Sequence, residues 1–404
     1  MIGQVDKFAL ANFVGMCEIS SDLAIEGRMI NFIDLQRQQQ KIREKVLARV
    51  EQVLSHGQYI MGPEVAELEA KLQSFSGAPF ALSCSNGTDA LMLALMALEV
   101  KPGDAVLCPS FTFVASAEVI PSMGATPVFV DVDPLTFNIS IESMQAGIMM
   151  AHKLGLTPRG VIVVDLFGLP ADYDRISEIA QKYDLWVLSD AAQSFGSEYK
   201  GRRAGSISGI STTSFFPAKP LGGYGDGGAV FCHDKSLKEK IESLRSHGMG
   251  EDRYINVRVG MNGRLDTIQA AVLLEKLAIF ESELSARSQI SRFYSEHLGS
   301  YVQVPHEPIG YKSAWAQYTI RLPDGVNRDK LQEKLKGLGV PSVVYYPIPL
   351  HKQLAYHKFP RANSSLEVSE SLSSSVLSLP FHPYLSLKEQ EHVVDAVKQV
   401  LKSA

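Results

Sequence analysis

The chain has 404 residues, of which 45% are hydrophobic and 21% charged, and its net charge at pH 7 is −5. This composition predicts a soluble globular protein with a large core and two or three lobes, and the acidic balance argues against a general basic surface for nucleic acid. Four widely spaced cysteines match neither a disulfide framework nor a zinc site, and no apolar run reaches the roughly 20 residues of a membrane span, so we expect a cytoplasmic protein without a bound metal.

Residues 1–28 are predicted to lie outside the fold. Residues 25–28 read Ile-Glu-Gly-Arg and directly precede a second methionine, Met29, which is typical of a processing-protease site behind an added tag. A native extension is the alternative. An apolar stretch at residues 8–17 has the length of a signal-peptide core, but Asn12 interrupts it and no cleavage site of small residues follows, so secretion is not expected.

The next part of the chain has the pattern of an α/β domain. A helix is predicted from Pro63 to Gly77, because its apolar positions repeat at helical spacing. Short apolar runs predict strands at residues 80–84, 105–109, 127–132, 161–167, 185–189, 211–216 and 228–232. Helical stretches separate the first five of these strands, at residues 89–98, 113–123, 141–151 and 173–183. Strands that alternate with helices predict a mostly parallel sheet with helices on both faces.

The C-terminal part has a different pattern. Two long amphipathic stretches at residues 265–280 and 281–298 are followed by shorter candidate strands and helices, at residues 318–322, 328–338, 343–346 and 387–401. Apolar residues interrupt a serine-rich patch at residues 369–378, which predicts ordered structure there. We therefore predict a large α/β domain over residues 29–280 and a smaller α+β domain over residues 281–404.

Three predicted strand ends carry polar residues, and ligands of open α/β sheets are bound at such ends. At the first, residues 83–89 read Ser-Cys-Ser-Asn-Gly-Thr-Asp, so a strand ends at an Asn-Gly turn and a helix begins. The backbone N–H groups of Gly87, Thr88 and Asp89 would face the opening, and a helix N-terminus favours a phosphate. The alternative is that Asn86 or Thr88 only caps the helix.

The second strand end is acidic, because Asp190 closes the apolar run at residues 185–189. A carboxylate at this position can pair with a protonated ring nitrogen and keep it protonated, as a pyridine cofactor that acts as an electron sink requires. Asp190 could also be a metal ligand or a helix cap, but no carboxylate or histidine nearby in the sequence completes a metal site.

The third strand end, at residues 214–228, contains Lys219 between Pro217 and Pro220, followed by five glycines. Rigid prolines and permissive glycines together predict a forced backbone path close to a ligand. Burial would lower the pKa of Lys219 and make its amine a competent nucleophile toward an aldehyde. A strand follows the glycines, so they are not the glycine turn of a dinucleotide-binding fold.

Five segments taken together resemble the DegT/StrS-type sugar-nucleotide aminotransferases, which are fold-type-I enzymes that use pyridoxal 5′-phosphate (PLP). They occur in the order typical of the family, between about residue 31 and the C-terminus, at residues 86–91, 109–113, 190–193, 214–228 and 262–266. The resemblance implies an α/β fold with a mostly parallel sheet and a smaller C-terminal domain. It also implies transfer of an amino group from an amino acid, by family expectation L-glutamate, to the ketone of a nucleotide-linked sugar.

The resemblance further implies roles for individual residues. Lys219 would be the Schiff-base lysine and proton shuttle, Asp190 the partner of the pyridinium nitrogen, and Phe113 the side chain stacked on the ring. The other implied cofactor contacts, to the phosphate or to the ring oxygen, are Gly87, Thr88, Asp89, Gln193, Ser214 and Asn262. Asn262 would reach the cofactor from a second subunit, so the active site would require a homodimer.

Two stretches, residues 257–271 and 345–351, look most like family members that aminate C3 of UDP-2-acetamido-2-deoxy-3-keto-glucuronic acid for O-antigen biosynthesis. A uronate carboxylate needs a cation, and the guanidinium of Arg264 offers a planar fork for it. The alternative is that Arg264 forms an ion pair or a cap on its own helix. The resemblance also implies substrate contacts from Tyr345 and His351.

Two other functions fit the same fold. A dehydratase of this fold has a histidine in place of the Schiff-base lysine, whereas this chain has Lys219. A non-catalytic, cofactor-binding regulator is expected to carry a DNA-binding segment or altered cofactor contacts, and the sequence has neither. For the substrate, the alternative is another 3- or 4-keto deoxysugar nucleotide.

Overall fold

The computed structural model of the protein describes residues 29–252 and 254–402. The predicted extension at residues 1–28 lies outside the described residues, and so does Cys17. Across the described part of the chain, no helix combines the length and the hydrophobicity that a membrane span requires.

Strands and helices alternate along the N-terminal two thirds of the chain. The strands of the described residues are β1 (Phe80–Cys84), β2 (Asp104–Pro109), β3 (Thr126–Val130), β4 (Thr157–Val164), β5 (Trp186–Asp190), β6 (Glu198–Tyr199), β7 (Arg202–Arg203), β8 (Ile210–Ser214), β9 (Gly228–Cys232), β10 (Tyr311–Lys312), β11 (Tyr318–Arg321) and β12 (Val376–Leu379). The α-helices are α1 (Leu35–His56), α2 (Pro63–Ser76), α3 (Gly87–Ala97), α4 (Ala115–Ser122), α5 (Ile141–Lys153), α6 (Tyr173–Lys182), α7 (Lys235–Leu244), α8 (Thr267–Leu298), α9 (Arg328–Gly337), α10 (Glu367–Ser375) and α11 (Leu387–Lys402).

A seven-stranded sheet forms the centre of the molecule, in the order β1-β9-β8-β5-β4-β2-β3. Only β9 runs antiparallel to its neighbours, so the other six strands end at the same edge of the sheet. Successive residues of β4 pack on opposite faces: Ile162 lies in a cluster with Leu91 of α3, and Val163 lies in a cluster with Ile148 of α5. The prediction of a mostly parallel sheet covered by helices is confirmed.

The long helix α8 connects this sheet region with the C-terminal part. The stretches at residues 265–280 and 281–298 form one continuous helix, because no glycine or proline interrupts the sequence between Thr267 and Leu298. Phe280 packs in a cluster with residues of α2 and β9, whereas Tyr294 packs in a C-terminal cluster with residues of β11, β12 and α11. The predicted domain boundary at residues 280 and 281 therefore falls inside α8, and the division into two domains stays a prediction.

The observed secondary structure differs from the predicted one at several places. The helices α1 and α7 were not predicted, because polar residues make up most of both helices. The strand predicted at residues 343–346 is wrong: Val343 forms only an isolated bridge with Ser378, in a segment between Pro341 and Pro347. By contrast, the serine-rich patch is ordered as predicted and forms α10 and β12.

Candidate active site

A cavity of about 610 Å³ lies at the edge of the sheet where the parallel strands end. It is lined by eight of the residues that the sequence predicted for the site: Gly87, Thr88, Phe113, Asp190, Gln193, Ser214, Lys219 and Tyr345. The topology explains the convergence, since β5 ends at Asp190, β8 ends at Ser214, and β1 ends three residues before Gly87. Residues that are far apart in the sequence thus share one cavity.

One end of the cavity is built as an anion site at the start of α3. The Asn86 side chain caps the helix by accepting a hydrogen bond from the backbone N–H of Asp89 at 2.8 Å. The N–H groups of Gly87 and Thr88 donate to no protein acceptor among the described residues, and both residues line the cavity. A Cβ atom on Gly87 would lie 2.6 Å from Cβ of Ser214, so glycine lets α3 begin directly against the end of β8. Helix capping and phosphate binding are therefore compatible at this turn.

The structure corrects the predicted phosphate contact of Asp89. Its backbone N–H is already bonded to Asn86, and its carboxylate accepts hydrogen bonds from the Asn86 amide at 2.8 Å and from the Ser85 hydroxyl. Asp89 does not line the cavity. Because its negative charge would also repel a phosphate, we assign Asp89 to the helix cap.

Asp190 lies at the floor of the cavity with 5% of its surface exposed. The Ser116 hydroxyl donates to its Oδ2 at 2.6 Å, and the Ala192 N–H donates to its Oδ1 at 3.1 Å. Burial raises the pKa of Asp190, while these two hydrogen bonds and the charge of Lys219 act in the opposite direction. Among residues 29–252 and 254–402, no cluster of three or more metal-binding side chains surrounds it. The carboxylate is thus fixed and able to accept a further hydrogen bond.

Lys219 is placed by a tight turn after β8. Its backbone N–H donates to the Phe216 carbonyl at 2.8 Å, and a Cβ atom on Gly222 would lie 2.5 Å from the carbonyl oxygens of Phe216 and Pro217. The glycine therefore permits the close backbone path that the sequence predicted. Burial lowers the pKa of the Lys219 ammonium, and attraction by Asp190 partly offsets this effect. A lysine with a lowered pKa has a larger fraction of nucleophilic, neutral amine.

Aromatic and amide side chains form the walls of the cavity. The Gln193 amide accepts a hydrogen bond from the Phe167 N–H at 2.7 Å and donates to the Tyr346 hydroxyl at 3.1 Å. Phe113 is 52% exposed, and its ring centroid lies 6.3 Å from that of Tyr346. Phe113 therefore presents a broad aromatic surface at the cavity, as a ring-stacking residue would.

Among the lining residues that sequence reasoning did not assign to the site are Thr112, Ser116, Gln317 and Tyr346. The hydroxyl oxygen of Thr112 and the amide oxygen of Gln317 are buried and have no hydrogen-bond partner among the described residues. Thr112 and Tyr346 lie within the quoted motifs, so their positions gave some signal. Ser116 and Gln317 gave none, because only the folded chain brings them next to the cavity.

Two predicted residues lie elsewhere in the single chain. Asn262 and Arg264 line a second cavity of about 460 Å³, to which Asp226 and Gln269 also contribute. Asp226 lines both cavities, so the second cavity adjoins the first. The Nε atom of Arg264 is buried without a hydrogen-bond partner among the described residues.

The structure also corrects the predicted substrate contact of His351. Its side chain is 2% exposed and does not line the cavity. Nδ1 lies 2.6 Å from the Ser110 hydroxyl, and Nε2 lies 3.1 Å from the Glu370 carboxylate. Because both ring nitrogens are occupied inside the protein, His351 cannot contact a substrate in this arrangement.

Comparison with known proteins identifies the family of the chain. The profile of the DegT/DnrJ/EryC1/StrS aminotransferase family matches residues 40–398. The chain belongs to this family. Over 360 residues it is 48% identical to UDP-2-acetamido-2-deoxy-3-oxo-D-glucuronate aminotransferase from Pseudomonas aeruginosa, covering 88% of this chain and 96% of that protein. The predicted family is confirmed, and the protein is an aminotransferase.

Solved structures of relatives share the fold. A DegT/DnrJ/EryC1/StrS aminotransferase from Brucella abortus superposes with a TM-score of 0.89 at 49% identity, over 92% of this chain and 99% of that chain. NtdA from Bacillus subtilis, solved with bound cofactor PMP, superposes with a TM-score of 0.84 at 28% identity, over 95% of this chain and 87% of that chain. The predicted fold-type-I architecture is confirmed by these similarities.

Proposed function

We propose that this protein is a PLP-dependent aminotransferase that transfers an amino group from an amino acid to C3 of UDP-2-acetamido-2-deoxy-3-keto-glucuronic acid. The observation that carries the proposal is the presence of Lys219 and Asp190 in one cavity with the anion-binding start of α3. The similarity to the Pseudomonas relative, which is named for this sugar, supports the choice of substrate. L-glutamate is the proposed amino donor, and the amino sugar would serve O-antigen biosynthesis in the cytoplasm.

The residues of the cavity fit PLP. The N–H groups of Gly87 and Thr88 and the Ser214 hydroxyl form a donor set for the phosphate. Asp190 offers a carboxylate to the ring nitrogen, and Lys219 offers an amine to the aldehyde. PMP, which is bound in the Bacillus relative, is the amine form of the same cofactor.

Each group of the chain then has a defined task. Bound PLP supplies an electron sink that stabilises negative charge on the α-carbon of the donor. The Asp190 carboxylate, held by Ser116 and Ala192, would accept a hydrogen bond from the ring nitrogen and favour its protonated form. The Lys219 amine would take the proton from the α-carbon of the donor and deliver it to C4′ of the cofactor, and its lowered pKa increases the neutral fraction that can act as a base.

We further propose that the active site is completed by a second copy of the chain. Asn262 and Arg264 lie in the adjoining cavity rather than beside Lys219, so within one chain they do not reach the proposed cofactor. Nearby on the same loop, Val257 and Val259 are 56% and 89% exposed, as expected of apolar residues that another subunit covers. In a homodimer, Asn262 would contact the phosphate of the partner, and Arg264 would bind the uronate carboxylate.

Turnover measurements test the reaction and the sugar. The purified protein, loaded with PLP, should absorb visible light, and L-glutamate should shift this absorbance until a keto-acid restores it. The uronate sugar should be aminated faster than its neutral 3-keto hexose analogue, with the product identified by its mass. A protein that binds PLP but aminates neither sugar would contradict the proposed substrate class.

The role of Arg264 has its own test. Arg264→Ala should reduce turnover of the uronate sugar but not of the neutral analogue, and Arg264→Lys should retain part of the preference because it keeps the charge. Equal losses on both sugars would remove the carboxylate role.

Mixed dimers test the shared site. Lys219→Ala and Asn262→Ala subunits are each impaired, but a heterodimer of the two would contain one site with an intact lysine and an intact asparagine. Random mixing should therefore restore about a quarter of wild-type activity, because half of the dimers carry one intact site of two. Activity no greater than the sum of the two parents would contradict the contribution of Asn262 from the partner.

A further inference from the structure

A buried chain of hydrogen bonds lies behind the proposed active site. The Ser110 hydroxyl contacts Nδ1 of His351 at 2.6 Å, and Nε2 of His351 contacts Glu370 of α10 at 3.1 Å. Burial lowers the pKa of His351, so its ring is neutral and one nitrogen is an acceptor. The backbone N–H of His351 also donates to the Ser110 hydroxyl oxygen at 3.2 Å. The Glu370 carboxylate, whose pKa is lowered by hydrogen bonds from Lys352 and His351, can only accept, so Nε2–H donates to it and Nδ1 of the neutral ring accepts from the Ser110 hydroxyl.

The order serine, histidine, carboxylate is that of a hydrolytic triad, but burial excludes this activity. Ser110 has no exposed surface, and neither Ser110 nor His351 lines the cavity. A nucleophile must reach its substrate, and this hydroxyl cannot. The three side chains therefore have a structural role within the protein.

The segments that this network joins are two walls of the cavity. Ser110 begins the segment that carries Thr112 and Phe113, and His351 ends the segment that carries Tyr345 and Tyr346. A backbone bond from the Leu350 N–H to the Ser110 carbonyl, 2.9 Å long, reinforces the connection. The ring of Phe111, one residue after Ser110, also lies 6.2 Å from that of Tyr346. The two walls thus meet at Ser110 and His351.

The position of these walls matters for ligand contact. Phe113 offers the exposed aromatic ring, and the buried hydroxyl of Thr112 has no partner among the described residues. A displacement of a few tenths of an ångström at Ser110 would move both groups, because they are two and three residues away. Hydrogen bonds and ring contacts of this kind depend steeply on distance.

We propose that His351 is a positioning residue which, through its Nδ1 contact with Ser110, holds Thr112 and Phe113 at the geometry that binds the cofactor and substrate. This inference rests on the proposed function, because it needs a ligand in the same cavity. His351 contributes no atom to the reaction, and its effect passes through Ser110 alone.

Two isosteric substitutions separate the two halves of the network. In His351→Asn, Oδ1 lies as many bonds from Cα as Nδ1, so it can accept from Ser110 while the bond to Glu370 is lost. In His351→Gln, Nε2 lies as many bonds from Cα as the histidine Nε2, so it can donate to Glu370 while the Ser110 acceptor is lost. Ser110→Ala removes the same contact from the other side, together with the hydrogen bond from the His351 backbone N–H.

We expect His351→Gln to raise the Kd for PLP about five-fold, the equivalent of one net hydrogen bond, and Ser110→Ala, which loses two hydrogen bonds, to raise it at least as much. His351→Asn should stay within about two-fold of wild type, and the double variant Ser110→Ala with His351→Gln should be no worse than Ser110→Ala alone. The change in the circular dichroism band of bound PLP should rank the variants in the same order as their Kd for PLP. Additive losses, or a larger loss for Asn than for Gln, would overturn the proposal.

Hydrogen exchange on the cofactor-free protein separates this inference from the proposed function. Amides of residues 110–116 should exchange faster in His351→Gln than in His351→Asn, whether or not PLP binds. If wild type fails to bind PLP but this difference appears, the proposed function is wrong and the coupling stands. If both variants exchange like wild type, or if both lose thermal stability equally with the same exchange pattern, the positioning role is refuted.

Discussion

The close approach of Gly87 to Ser214 in the proposed phosphate site makes Gly87→Ala a strong test of its geometry. A Cβ atom added at Gly87 would lie 2.6 Å from Cβ and 3.2 Å from Cα of Ser214. Carbon atoms in contact prefer separations of about 3.5–4.0 Å, so the shortfall is about 1 Å against atoms that cannot rotate away. The start of α3 must therefore move off the end of β8.

The magnitude follows from two costs. Overpacking of this kind destabilises a protein by about 1–3 kcal/mol, partly offset by the higher helix propensity of alanine. A displaced helix start also lengthens the hydrogen bonds from Gly87 and Thr88 to a phosphate, and each charge-assisted bond contributes about 1.5–3 kcal/mol. Loss of one such bond raises the Kd for PLP roughly 10- to 150-fold.

Titration with PLP and with pyridoxal, which lacks the phosphate, measures the effect. Gly87→Ala should weaken PLP binding strongly and pyridoxal binding little. Gly209→Ala is a matched control before the same strand, because its added Cβ would meet no atom within 4 Å and its backbone is not left-handed. Equal weakening of both ligands, or an unchanged Kd for PLP, would refute the assignment of α3 as the phosphate site.

Two further predictions concern buried polar groups. Ser116→Ala removes the 2.6 Å hydrogen bond to Asp190 and should lower kcat/KM roughly five- to thirty-fold. Ser122→Ala, on the exposed face of the same helix, is the control and should leave kcat/KM unchanged. An unchanged kcat/KM in Ser116→Ala would contradict the role of that bond. Burial lowers the pKa of His382 to about 4, below its usual value of about 6.5, because the folded protein favours the neutral ring. The resulting contribution to the free energy of unfolding is therefore present above pH ~6.5 and falls by on the order of 3 kcal/mol as the pH drops toward 4. Urea unfolding at several pH values should show that the free energy of unfolding of His382→Asn falls less steeply with decreasing pH than that of the wild type. The same pH dependence in both proteins would contradict this prediction.

Local sequence signals predicted the strands and strand ends well. β1 and β9 have the predicted bounds, because short apolar runs end at Asn-Gly or follow a glycine cluster. Parallel strands have one common edge, so Asp190 and Lys219 could be placed near each other from topology alone. Their convergence with Gly87 in one cavity follows from the same rule.

Long-range burial could not be predicted in the same way. His351 was predicted as a substrate contact from the family resemblance alone. Its partners, Ser110 and Glu370, are 241 and 19 residues away in the sequence, so only the fold shows that both ring nitrogens are occupied. Asp89 looked like a phosphate contact until the Asn86 cap showed that its N–H is taken. The sequence predicted two stretches at residues 265–298. In the structure they belong to one helix, whose first half packs in one hydrophobic cluster and whose second half packs in another.

Borohydride reduction of the PLP-loaded protein, followed by peptide mass analysis, tests the central claim most directly. The account predicts a stable pyridoxyl group on the side chain of Lys219, and no such adduct in Lys219→Ala. A pyridoxyl group on another lysine, or none on a protein that has bound PLP, would contradict the assignment of this amine and the proposed chemistry with it.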